Sequence, residues 1–234
     1  MAAAVVTGAA SGIGRSLARA LAHDGTRVYL ADVAPLIELA RETAGVSLPT
    51  DVTDPTQVEA LATGAEDARL ICLNAGIVGA TVGAPWEADL DEWHHVLGVN
   101  LLGVVNGLRA FVPRLLAANE PAHILITASL AGLLTFPAGG AYAATKHAVL
   151  AVAEQAALTL ADSPVGVTVY CPALVRTGMS EEGQDPDEAA AEALAACREG
   201  RFVLAPEEWR PAIVERATRL ANGDAPTFPS PLTP

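Results

Sequence analysis

Short, continuously apolar runs alternate along the chain with longer stretches whose apolar residues recur at helical spacing. The apolar runs are Ala2–Thr7, Arg27–Ala31, Gly45–Pro49, Arg69–Asn74, His123–Ala128, Val165–Cys171 and Phe202–Ala205. Their apolar residues do not alternate with polar ones, so they read as strands covered on both faces. Helical patterns lie between them, over about Gly12–Asp24, Pro35–Thr43, Thr56–Thr63, Leu90–Ala117, Ala141–Ala161, Pro186–Glu199 and Pro206–Ala221. This β–α alternation predicts an α/β fold, a doubly wound parallel sheet of about seven strands with right-handed crossovers and helices on both faces. Asp54-Pro55 and Asp185-Pro186 each place a capping carboxylate before a proline at the first helical position. Pro113 is expected to kink or end the Leu90–Ala117 helix. Neither a repeat nor a linker interrupts the pattern, so residues 1–225 read as one domain. Residues 226–234 form a tail in which Pro226, Pro229, Pro231 and Pro234 exclude helix and central strand.

Composition narrows the partners. The 234 residues are 51% hydrophobic and 18% charged, enough apolar material for one large core and too much for disorder. The net charge of −13, from 27 acidic and 14 basic side chains, leaves no cationic face for nucleic acid or an anionic membrane. Met1 is followed by apolar residues with no charged targeting region. The charge-free stretch Ile124–Thr145 has the length of a membrane span, but Gly132, Pro137, Gly139 and Gly140 divide it into strand, loop and helix start. Cys72, Cys171 and Cys197 are odd in number and widely spaced, as expected for reduced thiols of a cytoplasmic protein.

The first predicted turn is Thr7-Gly8-Ala9-Ala10-Ser11-Gly12-Ile13-Gly14, between a strand and a helix. Glycines there allow a sharp turn and close approach to a pyrophosphate, which the helix N-terminus then attracts. The competing reading is a plain tight β-to-α turn. The second strand ends at Asp32, where a carboxylate can accept from both ribose hydroxyls of NAD. It would repel a 2′-phosphate by about 4 kcal/mol, roughly a thousandfold in affinity. Val33 offers no offsetting charge, and Arg15 is the one cation nearby. NAD is therefore expected over NADP. A cap for the following segment, Ala34-Pro35, is the other reading of Asp32.

Tyr142 and Lys146 stand four apart at the start of a helix, on one face. A free phenol titrates near 10, and bringing it to about 7 takes roughly 4 kcal/mol of preferential phenolate stabilisation. A nearby ammonium in a partly dry site supplies about that much. Alone, the pair would read as an ordinary amphipathic helix. Ser129, ending the preceding strand, joins it.

With these motifs the chain resembles the short-chain dehydrogenase/reductase family over about Val5–Met179. Thr7–Gly14, with Gly8, Ser11, Gly12, Ile13 and Gly14, resembles the family's TGxxxGxG cofactor turn. Asp51-Val52 resembles its adenine-contacting pair, Asn74-Ala75-Gly76 its NAG segment, and Pro172–Thr177, with Val175, its PGxVxT segment at the nicotinamide end. The resemblance implies a Rossmann-type domain and an NAD-dependent oxidoreductase that interconverts a secondary alcohol and a ketone. It makes Tyr142 the general acid/base and Lys146 the group that binds the nicotinamide ribose and lowers the phenol's pKa. Ser129 would bond the substrate oxygen, and Asn100 would hold a water that relays protons. Departures are Leu73 where asparagine is common, Ala173 for the usual glycine, and a C-terminus running through Phe202–Ala205 to Trp209.

The segment from Thr177 to Glu199 is short and acidic, which disfavours carrier-bound acyl substrates and favours small neutral alcohols or ketones. Leu130, Leu133, Leu134, Phe136, Met179 and Trp86 are candidates for an apolar pocket, with core or interface packing as the competing reading. The C-terminal pattern is similar to family members acting on bulky aromatic or alicyclic alcohols. His94 and His95 precede Asn100 without a ligand spacing that completes a metal site. The Ala- and Leu-rich helix after Tyr142 is expected to pair with its copy in a homodimer or homotetramer. The alternatives are an NADPH-dependent ketoreductase of the same fold, including the 3-oxoacyl type, and a dinucleotide sensor without catalysis.

Overall fold

A computed structural model of the chain describes residues 3–230. Strands β1 (Ala3–Thr7), β2 (Val28–Ala31), β3 (Val46–Ser47), β4 (Ala68–Leu73), β5 (Ala122–Thr127), β6 (Val165–Tyr170) and β7 (Val203–Leu204) form one sheet in the order β3-β2-β1-β4-β5-β6-β7. Every pairing in it is parallel. Helices α1 (Gly12–His23), α2 (Ile37–Thr43), α3 (Pro55–Gly64), α4 (Leu90–Leu97), α5 (Gly103–Ala118), α6 (Gly140–Thr159), α7 (Pro186–Arg198) and α8 (Arg210–Asn222) complete the order.

The continuous apolar runs have a packing cause. Neighbouring strand residues face opposite layers, and both layers are dry. Val5, Ile71, Ile124 and Val167 meet Leu61, Phe111, Leu115 and Val149 of α3, α5 and α6. Val6, Cys72 and Leu125 meet Leu17, Leu39, Ala189 and Leu194 of α1, α2 and α7. Burial of these residues on both faces is the main stabilising term of the fold. The crossovers from β1 and from β4 run to opposite sides, so a crevice opens between their C-terminal ends, the place where such sheets bind ligands.

Helix starts follow the predicted chemistry. The Asp54 carboxylate accepts from the Thr56 and Gln57 N–H groups, and Asp185 accepts from that of Asp187. Two expectations need correction. Of the kink or end expected at Pro113, the end does not occur. α5 continues to Ala118, because Leu115 beyond the proline is buried against the sheet. The interruption lies earlier: one wide π-helical turn, Gly98–Leu102, joins α4 to α5 and carries Asn100. The predicted helix from Pro206 is also divided. A 3₁₀ turn, Glu207–Trp209, precedes α8, whose first turn holds Pro211. Lacking an N–H, Pro211 cannot extend the hydrogen-bond ladder back into that turn. Residues 226–230 are irregular and largely exposed. Ala2, Pro231 and Pro234 lie outside the described residues.

Candidate active site

The glycine-rich turn closes over the crevice. Gly8 has φ +67°, and a Cβ there would come within 2.8 Å of the Ala75 Cα. A Cβ on Gly14 would come within 2.1 Å of the Gly8 carbonyl oxygen. Neither position accommodates a side chain, so the backbone packs tightly on itself and on Asn74-Ala75. Ser11 is exposed and precedes α1 without a side-chain cap, and the first turn of α1 carries no acidic residue. α3, α4 and α7 are each capped by an aspartate, whereas α2, α5, α6 and α8 share with α1 the lack of a side-chain cap. What distinguishes the start of α1 is the glycine turn that leads into it. Ile13 is half-buried and packs into the core layer beneath. Thr177 lies over the turn, with its Cγ2 3.0 Å from where a Gly12 Cβ would stand.

Asp32 sits at the end of β2 and is half-buried. One carboxylate oxygen accepts from the Ala10 N–H at 2.9 Å and the other from the Ala34 N–H at 2.9 Å. It therefore braces the glycine turn, and it caps no helix, since α2 begins at Ile37. Each oxygen retains a free acceptor site. Asp51 is tied to Thr53 through its N–H and hydroxyl, while Val52 is buried and its carbonyl accepts from the Asn106 amide. Asn74 fastens three strand ends: its N–H donates to Thr7 Oγ1, its Nδ2 to the Thr7 carbonyl, and its Oδ1 accepts from Thr127 Oγ1. Pro172 and Val175 are buried, and the Pro172 carbonyl accepts from the Leu130 N–H at 2.7 Å.

Ser129, Tyr142, Lys146 and Asn100 come together beyond the ends of β4 and β5. Ser129 is buried, its Oγ accepting from the Ala131 N–H. The Ser129 hydroxyl beside the Tyr142 phenol favours the phenolate, but burial raises the phenol's pKa more, and the net direction is upward. This corrects the expectation of an acidified phenol. Lys146 Nζ stands 5.6 Å from the Tyr142 ring centroid and donates to the Thr127 carbonyl at 3.0 Å. The Lys146 side chain is 3% exposed, and the cost of burying its charge brings its pKa down to about 8. Asn100 is buried, and its amide bonds Ile77 in both directions, N–H to Oδ1 at 2.8 Å and Nδ2 to carbonyl at 2.9 Å. Gly76 fills the gap between Asn100 Oδ1 and Lys146 Nζ, where a Cβ would lie 3.3 and 3.4 Å from them.

Of the pocket candidates, Leu134 is buried core, whereas Phe136, Met179 and Trp86 are 37%, 54% and 83% exposed. His94 and His95 are exposed on α4. Among the described residues no cluster of His, Cys, Asp or Glu is placed to hold a metal ion. Sequence reasoning placed Thr7 in the glycine turn but missed Thr127 and Thr145. The signal for Thr127 was a polar residue ending an otherwise apolar strand.

The sequence profile of the short chain dehydrogenase family matches residues 2–188. A 1-deoxy-11-beta-hydroxypentalenate dehydrogenase of Streptomyces avermitilis is 39% identical over 96% of this chain and 86% of its own. A C alpha-dehydrogenase of Sphingobium sp. is 32% identical over 76% of this chain and 62% of its own. A short chain dehydrogenase/reductase from Burkholderia phymatum, solved in complex with NAD, superposes with a TM-score of 0.90 at 34% identity, covering 99% of this chain and 98% of its own. The chain belongs to the short-chain dehydrogenase/reductase family and is a nicotinamide-dependent oxidoreductase of hydroxy or keto compounds.

Proposed function

We propose that the protein interconverts a secondary alcohol and a ketone with NAD, through Ser129, Tyr142, Lys146 and Asn100. The observation that carries this reading is the convergence of a half-buried phenol with a buried serine and a buried lysine beside a glycine turn whose helix end is uncapped. The open N–H groups at the start of α1 would hold the pyrophosphate, Asp32 the adenosine ribose, Asp51-Val52 and Asn74-Ala75-Gly76 the adenine side, and Pro172, Val175 and Thr177 the nicotinamide end. Bound there, the dinucleotide accepts a hydride when oxidised and donates one when reduced. Tyr142 exchanges the proton at the substrate oxygen and Ser129 holds that oxygen. With its pKa raised by burial, the phenol is protonated at neutral pH, ready to donate to a carbonyl. In the direction of alcohol oxidation it must first lose that proton, which the Lys146 ammonium nearby favours. Two Lys146 donors beyond its Thr127 bond are free for the nicotinamide ribose.

The substrate we infer is small to medium, neutral and apolar, of the aromatic or alicyclic kind. Phe136, Leu174 and Met179 present exposed apolar surface on the loops after β5 and β6, and the segment between Thr177 and α7 carries Glu181 and Glu182. The relative from Streptomyces avermitilis is named for an alicyclic hydroxy acid, in keeping with an alicyclic ring but not with strict neutrality. The retention of Ser129, Tyr142 and Lys146 disfavours a sensor that only binds dinucleotide. We further infer a cytoplasmic homo-oligomer. The test is absorbance of reduced nicotinamide with a panel of secondary alcohols and either NAD or NADP. Turnover with NAD, faster than with NADP, is expected; binding of NAD without turnover across the panel favours the sensor.

A further inference from the structure

We infer that Thr145 is a positioning residue that locks Asn100 to the helical turn carrying Tyr142, an inference that rests on the reading of the site just given. Thr145 is fully buried at 0% exposure. Its hydroxyl has one proton, which it donates to the Tyr142 carbonyl at 2.7 Å. It must therefore act as acceptor toward Asn100 Nδ2, 3.1 Å away. The second Nδ2 proton goes to the Ile77 carbonyl at 2.9 Å, and Oδ1 accepts from the Ile77 N–H at 2.8 Å. Both amide protons are committed, so the orientation of the Asn100 side chain has a single solution. Four other threonines, Thr43, Thr63, Thr159 and Thr218, bond the carbonyl one turn back, as helical threonines do, and three of those bonds are solvent-exposed. Thr145 differs in accepting from a second element while fully buried; Thr63, which accepts from Arg114 of α5, does so at the surface.

One hydroxyl thus joins the π turn that carries Asn100, the loop after β4 that carries Gly76 and Ile77, and the first turn of α6. That first turn has little else to steady it, since Gly139 precedes α6 without a side-chain cap. Tyr142 and Lys146 both project from this end of α6, and Lys146 Nζ faces Asn100 Oδ1 across Gly76. Without the hydroxyl, Asn100 keeps its two Ile77 bonds but loses its tie to α6, so the first turn of that helix, with its phenol, is no longer held in register with the π turn. The cofactor turn, on the other side of the crevice, is untouched. The consequence falls on the chemical step and not on cofactor binding.

The experiment compares Thr145→Val, which keeps the volume and removes the hydroxyl, with Thr145→Ser, which restores it. Expected for Thr145→Val are a fall in kcat of about tenfold or more, a KM for the dinucleotide within about twofold of wild type, and a displaced pH profile of kcat. Thr145→Ser is expected to recover kcat to within about threefold. Should the valine variant not fold, Thr145→Ala gives the same split without added bulk. A valine or alanine variant with wild-type kcat overturns the inference, as does a serine variant as impaired as the valine one. So does a KM for the dinucleotide that rises in step with the loss of kcat. Tyr142→Phe run in parallel separates the two readings: if it keeps wild-type turnover, the acid/base assignment has failed and the inference falls with it.

Discussion

Replacing Lys146 by methionine should make the protein more stable while abolishing its activity. The Lys146 side chain is 3% exposed, and burial lowers its pKa from 10.5 to about 8. At about 1.36 kcal/mol per pH unit, that difference is a penalty of about 3 kcal/mol for holding the ammonium inside the fold. The sign follows from proton binding. Below pH 8 both folded and unfolded chains are protonated at this lysine and the penalty is fully present. Between about 8 and 10.5 the folded chain sheds the proton first, so the penalty fades and wild-type stability rises with pH. Methionine matches the length, carries no charge and gives up the 3.0 Å bond from a charged donor to the Thr127 carbonyl, a loss of about 2 kcal/mol. The net gain expected at pH 7 is about 1 kcal/mol. For a chain of this length that raises Tm by roughly 2–4 °C. The assay is thermal unfolding of the cofactor-free protein at pH 7 and near pH 10, followed by circular dichroism. The Tm advantage of Lys146→Met should shrink or reverse at the higher pH. A variant less stable than wild type at pH 7, or an advantage independent of pH, would refute the reasoning.

Gly132→Ala should damage the site without touching a catalytic group: its Cβ would stand 2.5 Å from the Lys146 carbonyl, forcing the turn after Ser129 away from α6. Unfolding by urea should show a loss of about 1–3 kcal/mol, and steady-state assays a lowered kcat. Asp32→Ala should raise NADP affinity by removing the like-charge repulsion, read by fluorescence titration. NAD should weaken at the same time, because the Ala10 and Ala34 N–H groups lose their acceptor.

The parallel sheet and its five inner strands were legible because a strand dry on both faces is apolar at nearly every position, and the two clusters meet along neighbours such as Val5 and Val6; the two-residue edge strands β3 and β7 are partly exposed, and the strand order was not read. The glycine turn and the Tyr142–Lys146 pair were legible as spacings. What spacing does not carry is the local dielectric. The phenol looked acidified by its lysine, but burial outweighs what the nearby Ser129 hydroxyl contributes, and Lys146 is engaged by the Thr127 carbonyl. Nor does spacing carry long-range hydrogen bonds. Thr127 and Thr145 are ordinary residues in sequence, and their roles arise only when Asn74 and the π turn come beside them. Of the two outcomes expected at Pro113, a kink or an end, the end does not occur, because helix propensity is a local preference and burial of Leu115 overrides it.

The central claim is that the Tyr142 hydroxyl exchanges the proton at the reacting oxygen. Tyr142→Phe removes one oxygen atom and leaves the ring in place, so its kcat with NAD and the best alcohol of the panel, set beside its NAD dissociation constant, tests that claim most directly. The account predicts a dissociation constant within a few fold of wild type and a kcat lower by roughly 10²–10⁴-fold. Undiminished turnover in the phenylalanine variant would contradict it.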